Sequence, residues 1–125
     1  MKTLTLITRS LLGILLIFAS VVVLFDLIEK PELTGNSKVF MEGMEASIYL
    51  FPLIKITELV CGVALLSGFF VPLAATILAP ISINILLYHS FVDPTGLPVA
   101  IFMFSANIII ALSHWGKYKA ILRPK

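Results

Sequence analysis

The chain has 125 residues, 59% hydrophobic and 13% charged, with a net charge of +2 and a mean hydropathy of +1.07. That balance excludes an ordinary soluble domain, which carries more charge and clearer loops, and points to lipid as the main solvent. So small a net charge, with no basic stripe interleaved with aromatics, excludes nucleic acid as a partner, and the length leaves room for a single domain over the whole chain.

A membrane-crossing helix needs roughly 20 mostly apolar residues. The first such stretch runs from Leu4 to Leu27. Its basic start, Lys2 and Arg9, resembles that of a signal peptide. The apolar part is longer than a signal core, however, and no small-x-small cleavage site follows "FASVVVLF", so a retained helix is expected. The longest connection, Ile28 to Glu45, contains "KPELTGNSK" and reads as the one true loop. Within it "SKVFMEGME" suits a short interfacial helix.

The second span runs from Ile48 to Gly68 and the third from Val71 to Phe91. The connection between them is very short, which makes them antiparallel neighbours. Gly68 suits a helix end and Pro72 a first turn. Pro80 removes the bond to the Thr76 carbonyl and predicts a kink. "DPTG" at Asp93 to Gly96 is a turn, and Pro98 opens a fourth span that ends at His114. No period-two alternation supports a β-barrel. The expected fold is all-α, a transmembrane four-helix bundle.

Charge sets the expected orientation. Lys2, Arg9, Lys117, Lys119, Arg123 and Lys125 lie near the termini with no acid among them. Asp26, Glu29, Glu32, Glu42, Glu45 and Asp93 lie in or beside the first and third connections, opposed only by Lys30 and Lys38. Basic flanks stay inside, so both termini are expected to be cytoplasmic, in a multi-pass protein of the inner (plasma) membrane. Trp115 and Tyr118 stand where interfacial anchors belong.

Once the ends are set aside, the ionisable residues within the spans are Lys55 and Glu58, in "PLIKITELVCG". A charge at the bilayer centre costs roughly 2.5 to 3.5 kcal/mol on insertion scales. Three apart on a helix, the two share a face and can neutralise each other, and Gly62 continues that face as a close-packing residue. Lys before Glu is the weaker order for an isolated helix, which leaves room for partners on other helices. Asn84, Tyr88 and His89 sit on the third span and Asn107 on the fourth, while the first carries Gly13, Ser20 and Asp26. With the topology above, Lys55, Asn84, Tyr88, His89 and Asp26 fall in the outer half of the membrane and Glu58 and Asn107 nearer its middle. A polar pocket opening outward is the expected consequence.

Each residue also has a purely structural reading. Lys55 and Glu58 can be an ion pair that fixes helix faces, and Asn84 and Asn107 interhelical glue. His89 suits a capping role at the interface. His114 belongs to the opposite side, which argues against a two-histidine haem site. Cys61, the one cysteine, reads as a buried inert thiol. No metal-ligand spacing, phosphate loop or nucleophilic triad occurs, and no metal is expected.

The stretch from Lys55 to Pro98 resembles the DoxX-like family of small four-helix membrane proteins. Glu58 and Gly62, the "LAP" at Leu78 to Pro80, the "NILLYH" at Asn84 to His89 and the "DPTGLP" at Asp93 to Pro98 carry the resemblance, and Arg9 with Leu12 and Gly13 resembles the start of the family's first helix. Relatives often carry a Gly and then a Lys at the end of that helix, where this chain has "FASVVVLFD". The resemblance implies a fold first. The family is named for a subunit associated with a thiosulfate:quinone oxidoreductase, and other members are linked to redox or respiratory systems.

The function expected from these readings is that of a redox-associated accessory subunit. It would bind a quinone-like lipophilic molecule through Lys55, Glu58, Asn84, Tyr88, His89 and Asn107, with respiratory partner proteins or copies of itself. A non-catalytic scaffold or assembly protein and a small transporter component are the alternatives.

Overall fold

The computed structural model describes residues 2–27 and 32–124. Glu29, Lys30 and Lys125, three of the charges counted above, lie outside them. The described chain folds into helices α1 (Lys2–Leu24), α2 (Gly35–Ala46), α3 (Leu50–Ser67), α4 (Val71–Phe91), α5 (Leu97–Ser113) and α6 (Trp115–Leu122), with a 3-10 turn at Pro94–Gly96. No strand occurs among the described residues. α1, α3, α4 and α5, the last with the turn before it, are long and apolar enough to cross a membrane. In lipid the helix is the form in which a single segment satisfies its own backbone groups.

The helix ends follow from local chemistry. α1 stops at Leu24, short of the expected Leu27. Asp26 takes a left-handed conformation (φ 54°), while Leu27 N–H donates to Val22 O at 2.9 Å and Asp26 N–H to Val23 O at 3.3 Å. This is the Schellman arrangement, with an aspartate in the place glycine usually holds. α3 begins at Leu50 because Ile48 is left-handed (φ 72°) and Ser47 Oγ accepts from Leu50 N–H at 3.1 Å. α3 ends at Gly68 (φ 86°), whose N–H donates to Ala64 O at 3.0 Å. The long first connection is helical over much of its length, since α2 covers and extends the "SKVFMEGME" segment.

α1 packs chiefly on α3, and α4 on α5; α3 also touches α4, and α1 touches α5. The α1–α3 contact is a meeting of glycines. A Cβ on Gly13 would stand 2.9 Å from Gly62 O, and one on Gly62 would stand 3.0 Å from Gly13 O. Between the helices lie small residues such as Ala74, Ala75, Ala100, Ala106, Ser20 and Ser82, threaded by Leu12, Leu16, Leu65 and Leu78. Outside stand large apolar side chains, Ile14, Phe18, Val60, Leu73 and Ile101 among them. In water so much exposed apolar surface would drive aggregation; in a bilayer it is the solvated face, and small residues let the backbones approach.

Candidate functional site

A cavity of about 710 Å³ lies between the C-terminal part of α1, α2, the first half of α3, the second half of α4 and the start of α5. Lys55, Glu58, Asn84, Tyr88 and His89 all line it. The remaining walls are apolar, with Leu15, Leu16 and Ala19 on one side, Ile81 and Ile85 on another, and Ala100 and Met103 behind. Pro80, which deprives α4 of one backbone donor, stands on the same wall.

Lys55 and Glu58 form the polar floor. Nζ lies 3.3 Å from Glu58 Oε2, with the Lys55 side chain 16% and the Glu58 side chain 3% exposed. The ammonium also sits 5.5 Å from the centroid of the Phe51 ring, within cation–π range. Across the α1–α3 contact, the fully buried Ser20 hydroxyl lies close enough to interact with Glu58 but makes no hydrogen bond of ordinary geometry. The residues seven apart on α1, Gly13 and Ser20, thus serve one face: glycine brings the helices together and serine meets the carboxylate.

The end of the cavity beside α2 is built around Tyr88 and His89. The Tyr88 ring meets Phe40 of α2 with centroids 5.0 Å apart and His89 edge-on at 5.0 Å. His89 Nδ1 bonds Asp93 O at 2.9 Å. A carbonyl only accepts, so Nδ1 carries the proton and Nε2 is the acceptor of the neutral ring. Gly96 is required beside it, because a Cβ there would stand 2.7 Å from His89 Nδ1. Asp93 Oδ1 accepts from the Thr95 hydroxyl at 2.6 Å and from Thr95 N–H at 3.3 Å, and these bonds hold its carboxyl below the usual range. His89 is therefore a capping residue as well as a wall of the cavity.

Two of the predicted residues lie elsewhere. Asn107 is buried away from the cavity, where Nδ2 donates to Ala75 O at 3.2 Å and ties α5 to α4; its Oδ1 is buried without a described partner. Asp26 is exposed and forms the stop of α1. His114 stands at the other end of the molecule, bonded through Nδ1 to Ile110 O at 3.0 Å. Among the described residues no group of three or more His, Cys, Asp or Glu could hold a metal.

α2 supplies walls that sequence reasoning missed. Phe40, Met41 and Met44 close the cavity from the side of the first connection, and Ser37 Oγ of the same helix donates to Val92 O at 3.2 Å. The available signal was the spacing of Ser37, Phe40, Met41 and Met44, a helical i, i+3, i+4, i+7 face inside an otherwise polar segment.

Compared with known proteins, the chain is matched by the family model described as DoxX over residues 4–91, from the start of α1 to the end of α4. No curated protein and no solved structure matches it.

Proposed function

The chain belongs to the DoxX family of membrane proteins, and from that premise we propose that it is a redox-associated accessory subunit whose cavity binds a quinone-like lipophilic molecule. One observation carries the reading: an apolar cavity of about 710 Å³ in which the few polar groups converge. Small-molecule sites have this make-up, with greasy walls for the body of the ligand and a few placed polar groups to orient it. Lys55 donates to a carbonyl-type oxygen, and Glu58 holds Lys55 and accepts from a hydroxyl. Asn84 and Tyr88 offer further hydrogen bonds at the wall, and His89 Nε2 offers an acceptor. Asn107 acts at a distance, by fixing α5 against α4.

In this reading the cavity lies in the outer half of an inner membrane, with both termini cytoplasmic. The clustering of basic residues near the termini supports that orientation. A scaffold role is the second reading, favoured by one specific observation: Lys55 and Glu58 already satisfy each other at 3.3 Å.

The test is to purify the protein in mild detergent, extract it with organic solvent and identify what co-purifies by mass spectrometry, with Glu58→Gln alongside. A stoichiometric quinone present in the native protein and lost from a folded Glu58→Gln protein is the expected result. Phospholipid alone, equal in both, makes the pair a structural clasp and the scaffold the better reading.

A further inference from the structure

A second cavity, of about 720 Å³, lies at the opposite end of the helices, where α1 starts and α5 finishes. Lys2 and Arg9 of α1, His114 after α5 and Lys117 of α6 line it, and no described lining residue is acidic. Arg9 is held in place, with Nη1 donating to Leu65 O at 2.7 Å and Leu66 O at 3.3 Å and capping the end of α3. That bond fixes one positive charge at the wall. The His114 bond to Ile110 O occupies Nδ1 and leaves Nε2 for another partner. Lys2 and Lys117 form no ion pair with any described residue. Like charges gathered round one cavity repel, and an anion between them converts that repulsion into attraction. The first turn of α4, at Val71 and Pro72, borders the same space with its positive dipole end, against the negative ends of α3 at Gly68 and α5 at Ser113, so the side-chain cations set the sign of the cavity.

The cavity is also greasy on its rim. Leu6, Phe70 and Leu112 line it and are 51%, 74% and 58% exposed. A soluble anion has no use for such a rim, whereas a phospholipid has: its phosphate meets the cations and its chains run along the apolar side. We propose that this cavity is a binding site for the phosphate headgroup of an anionic phospholipid. Arg9, Lys2 and Lys117 hold the phosphate, and His114 Nε2 accepts from a headgroup hydroxyl. Basic pockets between membrane helices on the cytoplasmic side take anionic headgroups for this reason.

The single tryptophan, Trp115, directly follows His114 and reports on the site. The protein is placed in phosphatidylcholine nanodiscs containing a minority of acyl-brominated phosphatidylglycerol, or the same minority of acyl-brominated phosphatidylcholine. Brominated phosphatidylglycerol quenches Trp115 more strongly. The preference falls about tenfold or more for each charge removed in Lys2→Gln and Lys117→Gln, as expected for the loss of a direct hydrogen bond to a charged phosphate. Lys119→Gln with Arg123→Gln, which removes two charges from outside the cavity lining, leaves the preference intact. Equal quenching by the two lipids in the native protein overturns the proposal, as does an equal loss in the control pair, which would mean general surface attraction. Inorganic phosphate altering Trp115 emission in unbrominated phosphatidylcholine discs, with no phosphatidylglycerol preference, also overturns it and assigns the cavity to a soluble anion.

Discussion

At the residue scale the energetics centre on Lys55 and Glu58. Removing one partner of a buried pair strands the other charge and typically costs 3–5 kcal/mol, while replacing both with apolar residues is often close to neutral. Lys55 keeps some exposure, so Lys55→Leu is expected to cost about 3 kcal/mol, and Lys55→Leu with Glu58→Leu clearly less. Unfolding by sodium dodecyl sulfate in mixed micelles measures both, and a double variant weaker than the single one would contradict the coupling. The pair was legible in the sequence because two ionisable residues in an apolar run have few ways to survive in lipid. Asn107 was legible only as a polar residue inside a span. Its distance from the cavity follows from which face of α5 turns to α4, and a uniformly apolar helix does not reveal that face.

At the element scale, the glycine contact between α1 and α3 is the tightest joint. Gly62→Ala brings a Cβ to 3.0 Å from Gly13 O and from Leu16 Cβ, and neither has a flexible end that can yield. A loss of about 1–3 kcal/mol is expected, read by the same detergent unfolding, with Gly43→Ala, a helical glycine whose added Cβ meets nothing within 4 Å, as the comparison that shows no loss. A weakened joint also moves Ser20 relative to Glu58 and so disturbs the cavity floor. The turn before α5 carries a pH prediction. The Thr95 hydroxyl holds the Asp93 carboxyl below its usual range, so Thr95→Ala moves that carboxyl's titration upward, which NMR of a carboxyl-labelled sample follows directly. A depressed carboxyl favours the folded form at pH above its ordinary value, and that contribution fades as the pH falls through the folded value. In Thr95→Ala that contribution is therefore smaller, and its loss on acidification is complete at a higher pH. Sequence reasoning found the long helices because their apolar runs match bilayer thickness. It placed their ends less well at Asp26 and Ile48, where non-glycine residues take left-handed conformations that carry no compositional signal. α6 was read only as a basic flank with two aromatic anchors. Its tie to the fold, Tyr118 OH donating to Pro72 O at 2.6 Å, is a long-range contact that no local pattern encodes.

At the scale of the whole molecule, two cavities of similar size and opposite character occupy the two ends of one set of helices. One has mostly apolar walls around a closed ion pair, and the other has basic walls with no described acid. The surface charge leans the same way, with Glu42, Glu45 and Asp93 against Lys38 on and beside the elements that close the first cavity, and Lys119 and Arg123 beyond the second. A protein in water gains nothing from such polarity, whereas a membrane protein is oriented by it, because basic flanks resist translocation. The orientation can be read with the chain's own chemistry. Cys61 is 2% exposed and should be silent to thiol reagents, so a cysteine added at an exposed position reports alone. In intact cells with a permeabilised outer envelope, a membrane-impermeant maleimide should label Asn36→Cys on α2. Lys119→Cys on α6 should label only after the membrane itself is opened. The reverse pattern would turn the apolar cavity toward the cytoplasm and the basic one outward, away from the leaflet whose anionic lipids suit it. Labelling of both in intact cells would mean that the two ends share one side of the membrane. The three spans between these positions, α3, α4 and α5, put them on opposite sides for a fully inserted chain, so such a result would count against the crossing of all three helices.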